Sequence, residues 1–101
     1  NGYNVYPRHV EEAIYLHPAV EECIVAGLPD DKRGERVKAW VKPHANARLD
    51  GERLKGFLED KISPIEMPRE IEIRNEELPK TMIGKLSRKD IVEQELGAHE
   101  S

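Results

Sequence analysis

The sequence predicts an α+β fold in which a small three-stranded sheet packs with about three helices, preceded by a short extended segment at residues 2–6. Apolar residues recur three to four positions apart in some segments and alternate every second position in others, without an internal repeat. The chain has 101 residues, which suffices for one hydrophobic core. We therefore expect one domain with the order helix, strand, strand, helix, strand, helix.

The first predicted helix begins at Pro7, since proline suits the first helical turn. Its apolar positions fall on one helical face: Val10, Ala13, Ile14 and His17. Glu11 and Glu12 are expected to face water, and Pro18 stops the helix.

Two segments are typical of strands. Residues 22–28 form a nearly continuous apolar run, as in a central strand covered on both faces, and Pro29 follows it. In residues 36–42 apolar side chains alternate with Lys38, Trp40 and Lys42, so this strand is expected to be half exposed.

Asp50 predicts the start of a second helix, because its carboxylate can accept a hydrogen bond from the first turn. The buried stripe of this helix is expected to contain Leu54, Phe57, Leu58 and Ile62. Pro64 closes the helix, and the alternating residues 70–74 predict the third strand.

The last helix carries a capping-box-like pair, Ser87 and Asp90, in which each side chain can satisfy a backbone N–H of the first turn. Leu86 and Ile91 occupy the positions of a hydrophobic staple. The helix is expected to end near Gly97.

Composition and length exclude several classes of protein. The single cysteine, Cys23, cannot form an internal disulfide, which favours a reducing compartment. No apolar run is long enough to span a bilayer, and the N-terminus lacks a signal-peptide pattern. We therefore expect a soluble, cytoplasmic protein.

The formal net charge of −4 argues against a general nucleic-acid binder. The charge is unevenly distributed, because residues 80–89 carry +4 and the other 91 residues sum to −8. The basic segment is therefore expected to meet an anion.

Lys85 is the candidate functional residue of this segment, because it follows Gly84, whose conformational freedom can present a lysine at the tip of a loop. From composition and spacing alone, a solvated surface lysine is the commoner interpretation. Cys23 is expected to be an inert core thiol. The four histidines lack the spacing of metal ligands, and the familiar nucleotide-binding and hydrolase motifs are missing from the chain.

Two stretches of the sequence resemble the C-terminal domain of adenylate-forming enzymes, the superfamily of acyl-CoA synthetases, luciferases and peptide-synthetase adenylation domains. Residues 2–11 read GYNVYPRHVE, similar to the family's Gly-Tyr-x-Val/Ile-x-Pro-x-Glu-Val/Ile-Glu, with His9 in place of the usual Glu. Residues 78–86 read LPKTMIGKL, similar to Leu-Pro-Lys-Thr-x-Thr/Ser-Gly-Lys-Ile. Between them, HPAV at 17–20 and AGLPD at 26–30 also match family patterns.

The resemblance implies that residues 1–101 are the mobile C-terminal domain of an acyl-CoA synthetase specific for a fatty or aryl acid. Lys85, in a lysine loop with Gly84, would serve formation of an acyl-adenylate from ATP and the carboxylic acid substrate. After a domain rotation, Gly2, Tyr3 and Asn4 would face the channel of CoA, the thiol acceptor. The resemblance also implies that ATP, CoA and Mg²⁺ bind mainly through a large N-terminal AMP-binding domain absent from these residues, so the chain alone is expected to be inactive.

Ile83 departs from the family pattern, because it removes a loop hydroxyl and leaves the loop position less defined. One alternative is a peptide-synthetase-like adenylation domain that delivers to a carrier protein, although residues 97–101 read as a chain end. Another is a non-catalytic interaction or dimerisation module whose basic loop binds an anion.

Overall fold

A computed structural model describes residues 6–32 and 34–100 and contains the six predicted elements in the predicted order. They are α1 (Pro7–Tyr15), β1 (Val20–Asp30), β2 (Gly34–Pro43), α2 (Gly51–Leu58), β3 (Glu70–Ile73) and α3 (Arg88–Glu100). The predicted extended segment at 2–6 lies, apart from Tyr6, outside the described residues. The α+β prediction is confirmed. No helix of the described ranges is long and apolar enough to cross a membrane.

The sheet has the strand order β1-β2-β3, with β1 and β2 antiparallel and β3 parallel to β2. A parallel pair needs a crossover connection, and the segment containing α2 provides it. The central strand is therefore β2, and the prediction that residues 22–28 form the central strand is wrong. Strand β1 lies at the edge, and its apolar run is buried because other parts of the chain cover both of its faces.

Two hydrophobic clusters cover the two faces of the sheet. The larger one lies between the sheet, α1 and α2: Val10, Ala13, Ile14, Val20, Cys23, Val25, Val37, Ala39, Val41, Leu54, Leu58 and Ile62. The smaller one joins the opposite face to α3 and the segment before it: Ile24, Ala26, Leu28, Trp40, Leu78 and Ile91. Helix α3 is thus needed to cover the second face.

The prediction that β2 is half exposed is wrong. Trp40 is fully buried beneath α3, and Lys38 is only 4% exposed. The indole N–H of Trp40 has no hydrogen-bond partner in the described part of the chain, which costs about 1–3 kcal/mol. Burial of the large indole ring opposes this cost.

The predicted helix starts are confirmed, but all three helix ends differ, and α1 ends at Tyr15, before the predicted His17. Asp50 Oδ1 accepts a hydrogen bond from the Arg53 N–H at 2.8 Å, as expected for an N-cap. Helix α2 ends at Leu58, earlier than predicted, and Ile62 is buried from the turn that follows. Helix α3 continues through Gly97, because a glycine inside a helix costs only about 1 kcal/mol.

Side chains close the outer edge of β1, where no strand from residues 6–32 or 34–100 pairs with it. Tyr15 Oη accepts the Cys23 N–H at 3.1 Å, and Glu11 Oε2 accepts the Val25 N–H at 2.8 Å. Arg88 Nε donates to the Val25 carbonyl oxygen at 2.8 Å. These bonds satisfy backbone groups that would otherwise be free to pair with another strand.

The prediction that Glu11 faces water is wrong, since this residue is 8% exposed. Its Oε2 also accepts a hydrogen bond from Arg88 Nη2 at 2.7 Å, so the buried carboxylate has both a charged partner and a backbone donor. A buried charge is tolerated when it is paired in this way. The neighbouring Glu12 is exposed, as predicted.

Replacing Glu11 should therefore destabilise the domain. Glu11→Ala leaves the Val25 N–H without its acceptor and Arg88 without its charge partner, and we expect the free energy of unfolding to fall by about 1–3 kcal/mol in urea denaturation. Glu12→Ala is the control, because its exposed pairing with Arg8 should contribute less than about 1 kcal/mol. Equal losses in the two variants would contradict the structural role of Glu11.

A buried ion cluster links β2, β3 and α3. Lys38 Nζ lies 3.0 Å from carboxylate oxygens of both Glu72 and Glu95. Burial acts to lower the pKa of Lys38, but the hydrogen bonds to the two glutamates outweigh it and raise this pKa. Burial acts to raise the pKa of Glu72, but hydrogen bonds from Lys38 and Arg74 hold it below its ordinary value. Lys38 and Glu72 are thus both charged at neutral pH.

The lowered pKa of Glu72 predicts that acid destabilises the domain. The contribution of Glu72 is complete above its ordinary pKa of 4.5 and is lost as the pH falls through the lower folded value. We expect Glu72→Gln to lower the Tm near neutral pH and to flatten the decline of Tm at acid pH, as followed by circular dichroism. Glu76→Gln, at an exposed position, should keep the wild-type profile. A Glu72→Gln profile parallel to that of the wild type would refute the prediction.

Candidate functional site

The basic segment folds into a short hairpin, with a bridge between Lys80 and Leu86. The Thr81 N–H donates to the Lys85 carbonyl oxygen at 2.7 Å, and the Gly84 N–H donates to the Thr81 carbonyl oxygen at 2.9 Å. Gly84 has φ +86°, the left-handed conformation that glycine adopts without strain and that commonly closes a three-residue hairpin loop. The sequence-based expectation of a glycine turn before Lys85 is thus confirmed.

Lys85 itself does not form the tip of the hairpin. Met82 is fully exposed and Ile83 is 79% exposed, so these two apolar side chains form the tip. Lys85 begins the returning arm, and its N–H donates to Thr81 Oγ1 at 3.3 Å. The loop therefore keeps one hydroxyl contact, from Thr81, although Ile83 lacks a hydroxyl.

The first arm of the hairpin is held by Glu22 of β1. Glu22 Oε1 accepts the Leu78 N–H at 3.2 Å, and Glu22 Oε2 lies 2.7 Å from Lys80 Nζ. Glu77 Oε1 lies 3.0 Å from the same ammonium group. Hydrogen bonds to Glu22 and Glu77 raise the pKa of Lys80. Lys80 is therefore occupied in an ion cluster.

The second arm is held by the start of α3. Ser87 Oγ accepts the Asp90 N–H at 3.1 Å, which confirms the N-cap. The reciprocal half of the predicted capping box is not formed, because the Ser87 N–H donates instead to the Pro79 carbonyl oxygen at 2.8 Å. Leu86 and Ile91 pack in the same hydrophobic cluster, as their staple positions predict. Arg88 then binds Glu11 and β1, as described above.

Lys85 is exposed, and no described carboxylate lies within salt-bridge distance of its ammonium group. It lines a groove of about 420 Å³ together with Arg8, Glu11 and Arg88. The remaining lining residues are Tyr15, Cys23, Ile24 and Leu86. The groove thus brings the helical end of the first sequence motif beside the lysine of the second. An exposed ammonium group without a carboxylate partner can bind an anion without first breaking an ion pair.

The other predicted site residues, Gly2, Tyr3 and Asn4, lie outside the described residues. Cys23 is buried, and burial raises the pKa of its thiol to about 12, which agrees with an inert core thiol. Within residues 6–32 and 34–100, no group of three His, Cys, Asp or Glu side chains is placed to hold a metal ion.

Sequence reasoning missed the residues that fix the hairpin. Glu11 follows Val10 and precedes Ile14 by three positions, so it lies at the margin of the apolar stripe of α1, which is a weak signal of burial. Arg88 opens α3, where the helix dipole disfavours a cation, and this is only a weak signal of a carboxylate partner. Only the tertiary structure identifies that partner as Glu11.

Known proteins resemble the chain in both sequence and structure. A long-chain-fatty-acid–CoA ligase of Bacillus subtilis strain 168 is 47% identical over 98 residues, which cover 97% of this chain and 17% of that protein. A feruloyl-CoA synthase of an Amycolatopsis species is 37% identical over 90 residues, which cover 89% of this chain and 18% of that protein. The crystal structure of an acyl-CoA synthetase from Brucella canis superposes with a TM-score of 0.86 at 36% identity, over 97% of this chain and 18% of that chain.

The chain therefore spans less than a fifth of the length of these relatives. Residues 9–85 match the family model described as the AMP-binding enzyme C-terminal domain. This range includes Lys85 and the groove residues Glu11 and Cys23. The resemblance found in the sequence is thereby confirmed, and the chain belongs to the AMP-binding enzyme C-terminal domain family.

Proposed function

We propose that residues 1–101 are the mobile C-terminal domain of an acyl-CoA synthetase and that Lys85 is its adenylation lysine. The observation that carries this proposal is the placement of Lys85: an exposed ammonium group without a described carboxylate partner, on a hairpin held at both arms. Membership of the family supplies the reaction in which such a lysine has a use.

The proposed reaction has two steps. A carboxylate oxygen attacks the α-phosphorus of ATP, the bond to the pyrophosphate leaving group breaks, and an acyl-adenylate forms. The sulfur of CoA then attacks the acyl carbonyl carbon, and AMP leaves with the electrons of the mixed anhydride bond. Lys85 acts in the first step, where two anionic groups must approach each other. A fixed cation that stabilises the developing charge contributes about 3 kcal/mol in such sites.

The apolar tip of the hairpin agrees with docking against a further domain. Met82 and Ile83 are exposed in this chain, next to the lysine that must reach the nucleotide. Contiguous exposed apolar patches can mark protein–protein contact surfaces. We infer that the tip is covered by the large N-terminal domain of the same protein when Lys85 enters the active site.

The remaining parts of the proposal concern groups that this chain does not hold by itself. We assign Mg²⁺ and most contacts to ATP and CoA to the N-terminal domain. Gly2, Tyr3 and Asn4 are assigned to the CoA channel after domain rotation. The Bacillus relative favours a fatty acid substrate and the Amycolatopsis relative an aryl acid, so both classes stay in the proposal.

Substitution of Lys85 in the full-length protein tests the assignment. Lys85→Ala should lower carboxylate-dependent pyrophosphate release by about 100-fold or more, because a charge contact of the first step is lost. Formation of the thioester from preformed acyl-adenylate and CoA should change little. Lys89→Ala is the matched control, since this lysine is also exposed and lies outside the groove lining.

Three results would contradict the proposal. Equal loss of both half-reactions would refute the step assigned to Lys85. Wild-type rates in both would favour a non-catalytic interaction module. Thioester transfer to a carrier protein but not to free CoA would favour a peptide-synthetase-like adenylation domain.

The isolated chain should be inactive, because the proposal assigns the acyl and nucleotide sites to residues outside it. We expect no carboxylate-dependent pyrophosphate release from residues 1–101 alone at concentrations at which the full-length protein turns over. Sustained release by the purified fragment, abolished by Lys85→Ala, would contradict the division of function between the domains.

A further inference from the structure

We propose that Arg88 is a positioning residue for Lys85, acting through its bonds to Glu11 and β1. This inference rests on the adenylation role proposed for Lys85. The hydrogen bonds within the hairpin do not by themselves fix its orientation relative to the rest of the domain, so the contacts of its two arms determine where Lys85 lies.

The Arg88 guanidinium joins three elements at one point. Its Nε donates to the Val25 carbonyl oxygen at 2.8 Å, and its Nη2 donates to Glu11 Oε2 at 2.7 Å. Glu11 Oε2 is itself fixed by the Val25 N–H at 2.8 Å. The three groups form a closed set of hydrogen bonds between α1, β1 and α3, in which the carboxylate is buried.

The chain segment between Arg88 and Lys85 is short, and its residues are held in place. Only Leu86 and Ser87 lie between them; Leu86 packs against the smaller hydrophobic cluster, and the Ser87 N–H is bonded to Pro79. A displacement of Arg88 is therefore passed to the returning arm of the hairpin. Reaction rates are sensitive to such displacements, since misplacement by about 1 Å can cost about 100-fold.

The chain contains a matched arginine for comparison. Arg36 Nε donates to Glu70 Oε1 at 3.0 Å, and its Nη1 donates to the Pro29 carbonyl oxygen at 2.9 Å. It thus has the same two kinds of partner as Arg88, a glutamate and a β1 carbonyl group. Arg36 lies near the β1–β2 turn and outside the groove lining, so its loss should affect stability without moving Lys85.

The test compares Arg88→Gln, Arg88→Lys and Arg36→Gln in the full-length protein. Arg88→Gln should lower kcat for pyrophosphate release by about 10-fold or more, leave the KM for the carboxylate within about twofold, and leave thioester formation from preformed acyl-adenylate within about twofold. Arg88→Lys should recover part of the loss, because an ammonium group can still pair with Glu11. Arg36→Gln should keep the ratio of the two half-reactions unchanged.

Hydrogen exchange supplies a readout that does not depend on activity. The Thr81 and Gly84 amides are bonded within the hairpin and should exchange faster in Arg88→Gln than in Arg36→Gln. If Arg88→Gln fails to fold, Arg88→Lys is compared with Arg36→Gln instead, and smaller changes in exchange and in kcat are expected.

Either of two results would overturn the inference. The first is that Arg88→Gln and Arg36→Gln show the same hydrogen-exchange rates in the hairpin and the same ratio of the two half-reactions. The second is that Arg88→Gln raises the KM for the carboxylate and leaves kcat unchanged, which would indicate that Arg88 binds the substrate directly. The variant Lys85→Ala tests the proposed function separately. If this variant keeps pyrophosphate release, the proposed function is wrong. Faster hydrogen exchange of the hairpin amides in Arg88→Gln would still support the role of Arg88 in positioning the hairpin.

Discussion

The outer edge of β1 is closed by side chains, because no strand in the described part of the chain pairs with it. Glu11, Tyr15 and Arg88 provide the donors and acceptors that a neighbouring strand would supply. This requirement explains why an acidic residue is buried in α1 and why a cation opens α3. It also fixes the end of the basic hairpin, since Arg88 belongs to both the edge closure and the segment that follows Lys85.

The uneven charge of the sequence acquires a structural explanation from the same contacts. Two of the four cations in residues 80–89 are neutralised by glutamates elsewhere in the chain: Lys80 by Glu22 and Glu77, and Arg88 by Glu11. Lys85 and Lys89 are left without a described carboxylate partner, and of these two only Lys85 lines the groove. Part of the basic segment therefore serves to hold the hairpin, and the expectation that the whole segment meets an anion narrows to Lys85 and its immediate surroundings.

Local signals predicted the element order, the N-caps at Asp50 and Ser87 and the glycine turn, because each depends on a few neighbouring residues. The errors have a different origin. Burial of Glu11 and Lys38 depends on partners 77 and 57 residues away, Arg88 and Glu95. The identity of the central strand depends likewise on where the crossover through α2 places β3. Such long-range pairings leave little trace in periodicity, so the glycine turn before Lys85 could be predicted from the sequence, but the contacts that hold the hairpin could not.

The contacts that hold the hairpin limit how Lys85 can move under the proposed function. A lysine on a flexible loop could leave the active site by a change of loop conformation alone. Here the hairpin is bonded internally through Thr81, and its two arms are tied to β1 through Glu22 and Arg88. Moving the Lys85 backbone out of the hairpin would break its hydrogen bonds to Thr81. Moving the hairpin as a unit would break the charge-assisted bonds of Glu22 and Arg88, which are among the stronger contacts of the domain. Rotation of the entire domain keeps all of them, so under the proposed function the enzyme would exchange Lys85 for the residues proposed to face CoA by moving the whole domain and not the loop.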